Sequence, residues 1–298
     1  LLLHARGSAV IFLIPAIFLS VCVGVIFKQG TTQSWPVVPL LVVNYATATV
    51  LAGIQGGAMP HVSVGSLGLA LIIGVLFIAG YGAFSRATSV AGLARSGGVF
   101  RISVVIPIVV SLTVWDEVIT SVQAGGLTLA FLAFVLMAWP VKHPLEATSH
   151  PRSWPWLLLL FVIGGLADTA VKTFQLAFRD TWTTAQLLLV VYGLSGLIGL
   201  LWWWRSKRWD RDAPPVIHLA GWPWVWAGVL LGVANYGSTW FFLEAVARLP
   251  ASIAFPVNHV GVMTGMALVG MLQFGERPHR SQGLGLLLAA LSLILLTS

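Results

Sequence analysis

Charge is what this sequence has least of. Asp, Glu, Lys and Arg together make up 8% of its 298 residues, where a soluble domain carries roughly 25%. So few charges cannot wet a water-facing surface, which excludes an ordinary soluble globular protein. Cysteine is nearly absent as well. The single Cys22 excludes an intramolecular disulfide and a cysteine-rich metal site, and inside an apolar run it reads as a small buried hydrophobe. There is no paired-histidine metal motif, nucleophile elbow or phosphate-cradling glycine loop. An enzyme is therefore not expected, nor is a cofactor, and no nucleotide-binding segment is present to drive work with ATP. Lys and Arg outnumber Asp and Glu, 16 to 9, but they are not interleaved with aromatics as a nucleic-acid groove demands. Nucleic acid is not an expected partner.

Apolar length is what the chain has in abundance, with 58% of its residues hydrophobic. Roughly 20 apolar residues make one membrane span. Ten such runs fall at 8–27, 36–54, 66–85, 98–115, 121–139, 154–173, 182–204, 221–242, 251–274 and 281–297. The short loops between them hold the turn formers and charges, as in Lys142-His143-Pro144 and Glu276-Arg277-Pro278. Tryptophans such as Trp35, Trp139, Trp154, Trp202 and Trp222 sit near the boundaries, as an interfacial belt requires. The first run has full span length and contains Pro15, so a retained span is expected rather than a cleaved signal. The opening Leu1-Leu2-Leu3 suggests a native start upstream. Most of the basic loop residues, among them Lys28, Arg86, Arg205 and Arg208, lie on the side reached after odd-numbered spans. Arg6, Arg179 and Arg248 lie on the other. The positive-inside rule then expects both termini outside the cytoplasm.

The two halves match each other. Setting Glu117 on Glu276 brings Gln123 onto Gln282, Gly126 onto Gly285 and Ala130 onto Ala289. Lys28 and Lys172 likewise end the first and sixth runs, and Tyr81-Gly82 and Tyr236-Gly237 recur in the third and eighth. A unit of five spans is odd, so a tandem copy inserts upside down. The sequence thus predicts an all-α integral membrane protein of ten helices, built as two inverted five-helix repeats over 1–145 and 146–298. Inverted repeats of this kind are the usual build of secondary transporters, with the substrate site between the copies.

Several short stretches strengthen this reading. They are Ile26-Phe27-Lys28, Val43-Asn44-Tyr45, the run from Arg101 to Pro107 ahead of Asp116-Glu117, and Gly165-Leu166-Ala167-Asp168 with Lys172. The series continues with Asn235-Tyr236, then Phe255-Pro256-Val257-Asn258-His259-Val260-Gly261 and Phe274-Gly275-Glu276. In order and spacing, over essentially the whole chain, they resemble the drug/metabolite transporter superfamily and specifically its EamA-like ten-helix members. The resemblance implies two inverted repeats around a central cavity lined by spans 1, 3, 4, 6, 8 and 9. It also implies alternating access for a small-molecule substrate, commonly export of amino acids or related compounds. The expected setting is the bacterial cytoplasmic (inner) membrane, with lipids around a monomer or homodimer. One position departs from the pattern: Arg101 stands where similar sequences tend to have Lys. Arginine does not deprotonate in practice, so a proton-releasing role there is not expected.

Charges inside spans are costly unless paired or hydrated, and so mark candidate sites. Arg101 offers a fixed cation to a carboxylate or phosphate; the bland alternatives are snorkelling or a structural pair with Asp168 or Glu244. Asp168 and Lys172 are four apart on one helix and can neutralise each other. Asp168, Glu244 and His259 are the candidate proton carriers, with Arg248 a close partner for Glu244. Asn44, Asn235 and Asn258 should bond across helices or line a cavity beside Tyr45, Tyr81 and Tyr236. Arg101 and Asn258 are the leading substrate contacts. Pro107 and Pro256 should kink their helices and serve as hinges. Glu117 and Glu276 are expected to cap the following helix or hold a loop. The Gly-x-x-x-Gly spacings at 228/232 and 261/265 read as close helix packing, as do Gly193, Gly196 and Gly199. Two further readings stay open: a flippase for lipids or lipid-linked head groups, and a membrane-embedded enzyme or structural subunit.

Overall fold

A computed structural model describes residues 10–33, 35–58, 62–91, 93–138, 153–209, 223–275 and 279–297. Those residues fold into helices and no strand. In chain order the helices are α1 (Leu13–Thr32), α2 (Val37–Gly56), α3 (Val64–Ala91), α4 (Leu93–Ile102), α5 (Val105–Thr113), α6 (Ser121–Ala138), α7 (Trp154–Phe178), α8 (Thr184–Trp209), α9 (Pro223–Val246), α10 (Ala251–Phe274) and α11 (Arg280–Thr297). Among the described residues nine helical stretches are long and apolar enough to cross a bilayer, α4 and α5 together forming one of them, and α6 is a shorter apolar helix. A lipid core offers backbone groups no partner, so helices that satisfy their own N–H and C=O groups are the natural response. The chain is a multi-pass helical membrane protein.

Helix starts are written into the sequence. Thr120 and Gln123 bond reciprocally at the start of α6, N–H to Oε1 at 3.1 Å and N–H to Oγ1 at 3.2 Å. Thr183 and Gln186 repeat this capping box ahead of α8 at 2.8 and 3.2 Å. Before α11 the His279 N–H donates to Gln282 Oε1 at 3.0 Å. The Gln123–Gln282 match between the halves is therefore a match of two capping glutamines.

The fourth span breaks in two, and Pro107 explains the break. Proline has no N–H to give the Ser103 carbonyl four residues back, and its ring crowds that oxygen. The Ile106 N–H takes the Ser103 carbonyl instead, at 3.0 Å, and the Ser103 hydroxyl donates to the Phe100 carbonyl at 2.7 Å. Pro256 leaves α10 continuous, because its missing bond falls in the first turns of the helix. The two prolines therefore differ: one interrupts a span and the other is accommodated within one.

Two apolar cores hold the bundle. One joins α1, α5, α6, α10, α11 and the end of α9 around Phe134, Phe255 and Val260; the other joins α2, α3, α7, α8 and α9 around Ile73, Phe174, Leu188 and Val191. The most extensive packing is of α6 on α11 and of α2 on α8, with α9 against α1 and α2, and α3 against α7 and α8. Small residues permit the closest seams. A Cβ at Gly232 would fall 2.6 Å from the Asn44 carbonyl oxygen, so α9 approaches α2 at a distance only glycine allows. Gly261 and Gly265 bring α10 as close to Ile17 and Val21 of α1. The spacings at 228/232 and 261/265 do mark close packing, whereas a Cβ at Gly193 or Gly199 would meet its neighbours only at ordinary contact distance.

Candidate functional site

Polar residues inside the bundle gather in three places. The first lies among α2, α3, α8 and α9, where all four tyrosines of the chain meet in one core. Tyr45 and Tyr192 have ring centroids 5.9 Å apart, and Tyr81 stacks on Phe27 at 6.2 Å. The Tyr192 hydroxyl reaches Thr239 Oγ1 at 2.6 Å and the Asn235 carbonyl at 3.2 Å. The Asn235 amide donates to Asn44 Oδ1 at 3.2 Å, and the Tyr236 hydroxyl donates to Gln55 Oε1. Asn44, Asn235, Tyr45, Tyr81 and Tyr236 all come together here, with one side-chain bond among them, Asn235 to Asn44, joining α9 to α2. Tyr192, Gln55 and Thr239 belong to the same cluster and carried no motif. Tyrosine normally favours the membrane interface, so Tyr192 in the middle of the seventh run was the available signal.

The second place brings α4, α7 and α10 together. Asp168 on α7 faces His259 on α10, Oδ2 to Nε2 at 3.5 Å. Phe100 on α4 stacks on the His259 ring with centroids 6.3 Å apart. The next residue on α4, Arg101, is half-buried. The paired glycines of α7 make this approach possible. A Cβ at Gly165 would lie 2.3 Å from Ile106 Cδ1, so the break between α4 and α5 rests on the α7 backbone one turn before Asp168. His259 is 5% exposed, yet its Nδ1 has no partner, and neither has the buried Oδ1 of Asn258 beside it. A buried polar atom left without a bond costs about 1–3 kcal/mol, so this cluster carries an unmet cost that the bonded Tyr192–Asn235–Asn44 chain does not.

The third place is the end of the bundle where α9 turns into α10. Lys172, 4% exposed, donates to the carbonyls of Val246 at 2.9 Å and Leu249 at 2.8 Å. Its ammonium lies 3.9 Å from Glu117 Oε1. The Glu117 carboxylate accepts from the N–H groups of Ala251 at 2.8 Å and Ser252 at 3.1 Å, and from the Ser252 hydroxyl at 3.0 Å. Two expectations are corrected here. Lys172 does not neutralise Asp168, because the two side chains leave α7 for different partners. Glu117 caps α10, far away in sequence, and the helix that follows it is capped by Thr120 and Gln123 instead. Its counterpart Glu276 lies outside the described residues.

Glu244 is occupied as well. It pairs with Arg248 one turn on and accepts from the Thr184 hydroxyl, while Arg248 also sits over the Phe12 ring at 4.7 Å. That leaves no Glu244 pair for Arg101 and places Glu244 in a structural contact near the bundle end. A groove of about 320 Å³ between α5 and α6 is lined by Val105, Ile108, Leu127 and Phe131. It is apolar and distant in character from all three polar clusters.

No protein-family model matches the chain. It is 23% identical over 291 residues to an uncharacterised protein of Haemophilus influenzae, in an alignment covering 92% of this chain and 93% of that one. A protein of known crystal structure superposes with a TM-score of 0.68 at 16% identity, over 97% of this chain and 96% of the other. The fold is shared from end to end.

Proposed function

We propose that this chain is a secondary transporter in a cytoplasmic (inner) membrane, exporting small polar or amphipathic metabolites by alternating access, as EamA-like drug/metabolite transporters do. The observation that carries the reading is the cluster of Arg101, Asp168, Asn258 and His259. Charged and titratable groups from three spans converge inside an apolar bundle, at a cost that structure alone does not require. Arg101 supplies the fixed positive charge for an anionic substrate group, Asn258 an unbonded amide, and Asp168 with His259 a place for a coupling proton.

Helix pairing supports an inverted repeat over 1–145 and 146–298. If span n of the first half corresponds to span n + 5, the packing of α1 on α9 corresponds to that of α7 on α3. The packing of α10 on α1 corresponds to that of α4 and α5 on α7, and α2–α8 and α6–α11 are pairs that map onto themselves. The charged cluster then lies between the halves, with Arg101 from one and Asp168, Asn258 and His259 from the other.

The test is thermal stability of the purified protein against amino acids, nucleosides, sugars, polyamines and lipid head groups, with Arg101→Ala alongside. A ligand that binds the folded state raises its Tm by mass action. Loss of one charge-assisted contact should weaken that ligand by about 2–3 kcal/mol, roughly a hundredfold. If one class stabilises the wild type and Arg101→Ala stays folded but loses the response, the substrate class and site are found. Equal stabilisation of both forms removes Arg101 from the site. If no class acts and proteoliposomes show no flux of any of them, the transport reading falls.

A further inference from the structure

Asp168 and Lys172 stand one turn apart on α7, and Ser252 and His259 stand two turns apart on one face of α10. The contacts between them form a ladder of two rungs. The inner rung is Asp168–His259, and the outer rung is Lys172 and Glu117 against the start of α10. Helices α7 and α10 both pack on α5 and α9 rather than closely on each other, so these side chains are what bridges them. At the same end the Gln186 amide donates to the Ala58 carbonyl at 2.6 Å, and Arg179 donates to the Ala247 carbonyl at 2.8 Å.

We propose that Glu117 and Lys172 form a latch that shuts this end of the bundle, a gate for the site beneath it; the proposal rests on the transport reading. Each charge meets the helix terminus of opposite polarity. The carboxylate takes the free N–H groups that begin α10, and the ammonium takes free carbonyls at the end of α9. With the latch shut, Lys172 is buried and Glu117 largely withdrawn from solvent, and both are hydrogen-bonded. With the end open, both are hydrated. Between those states lies a dehydrated, unpaired pair, which is the costly arrangement for buried ions. The contact therefore has two stable conditions and a poor intermediate, the property a gate requires. Because Glu117 belongs to the first half while Lys172 and both capped termini belong to the second, the latch also fastens the two halves together.

Cysteine accessibility tests it, in a Cys22→Ser background with a membrane-impermeant thiol reagent. Ser252→Cys reports on the latched end and keeps its backbone N–H to Glu117. Gly97→Cys reports on the other side of the site. It lies one turn before Arg101 on α4, where an added Cβ meets nothing within 4 Å. Each reporter is combined with Glu117→Gln and, separately, with Lys172→Met, using only protein that remains monodisperse. The expected result is a rise of about tenfold in Ser252→Cys labelling and a matching fall at Gly97→Cys, as for a two-state equilibrium that loses one cap. Continued protection of Ser252→Cys in both latch variants overturns the proposal. So does a rise at Ser252→Cys with no change at Gly97→Cys, which marks fraying of the first turn of α10. A reciprocal shift in a protein that no ligand stabilises and that shows no flux upholds the latch and sinks the transport reading.

Discussion

Two polar clusters lie inside the same apolar bundle, and they are finished to different degrees. Among α2, α3, α8 and α9, the side chains of Tyr192, Asn235, Asn44 and Tyr236 find protein partners. Among α4, α7 and α10, Asp168 and His259 meet at a loose 3.5 Å, and Asn258 Oδ1 and His259 Nδ1 have no partner at all. Side chains bonded to one another across helices fix those helices in place. On the proposed transport reading, open valences between spans suit a group that comes and goes, and the state of the hydrogen bonds is what the two clusters put to the test.

Three experiments sharpen this contrast. Tyr192→Phe should have the largest effect on stability, lowering the unfolding free energy by about 1–2 kcal/mol while leaving ligand response intact. Chemical denaturation in detergent measures the first and ligand-dependent Tm the second; a lost ligand response would move the tyrosine cluster into the site. A double-mutant cycle on Asn44→Ala and Asn235→Ala should give a coupling near 0.6 kcal/mol, the usual worth of one such bond between membrane helices. Zero coupling would mean the amides are placed by backbone packing and do not hold it. Asn258→Leu should be smallest and opposite in sign, raising stability by about 0.5 kcal/mol because it removes an unbonded buried atom. The same variant should bind ligand more weakly, and a protein destabilised by it would show that Asn258 is glue after all.

Most of the fold was legible because a span announces itself by length. The run at 154–173 became α7, Trp154–Phe178, and that at 251–274 became α10 with the same bounds. The split of the fourth span was half legible. Pro107 forecast a kink, but that the kink would interrupt the helix depends on its seat against Gly164 and Gly165, which only the packed structure displays. The sites followed the same division. Asp168 and Lys172 share a face by helical geometry, and that geometry says nothing of what stands opposite each of them. Glu117 looked like a local cap because spacing along a chain reveals neighbours in sequence, whereas its partners Ala251 and Ser252 are brought to it by tertiary packing. Gln186 and Gln123 could have been found, since Thr-x-x-Gln ahead of an apolar run is a known start signal.

The helices also differ in length, and a bilayer responds to that. At 28 residues α3 is about 42 Å long, while α6 and α11, at 18 residues each, are about 27 Å. A hydrocarbon slab near 30 Å matches the short pair almost upright and is overrun by the long helix, which must lean or project. The protein therefore presents a belt of uneven height to its lipids. Beside α6 and α11, Phe131, Leu132, Leu287 and Ile294 face outward, and a bilayer thicker than this pair would have to thin to meet it. In the proposed transport cycle, any rearrangement that tilts α3 against the α6–α11 pair would change that mismatch, so membrane thickness would act on the conformational balance.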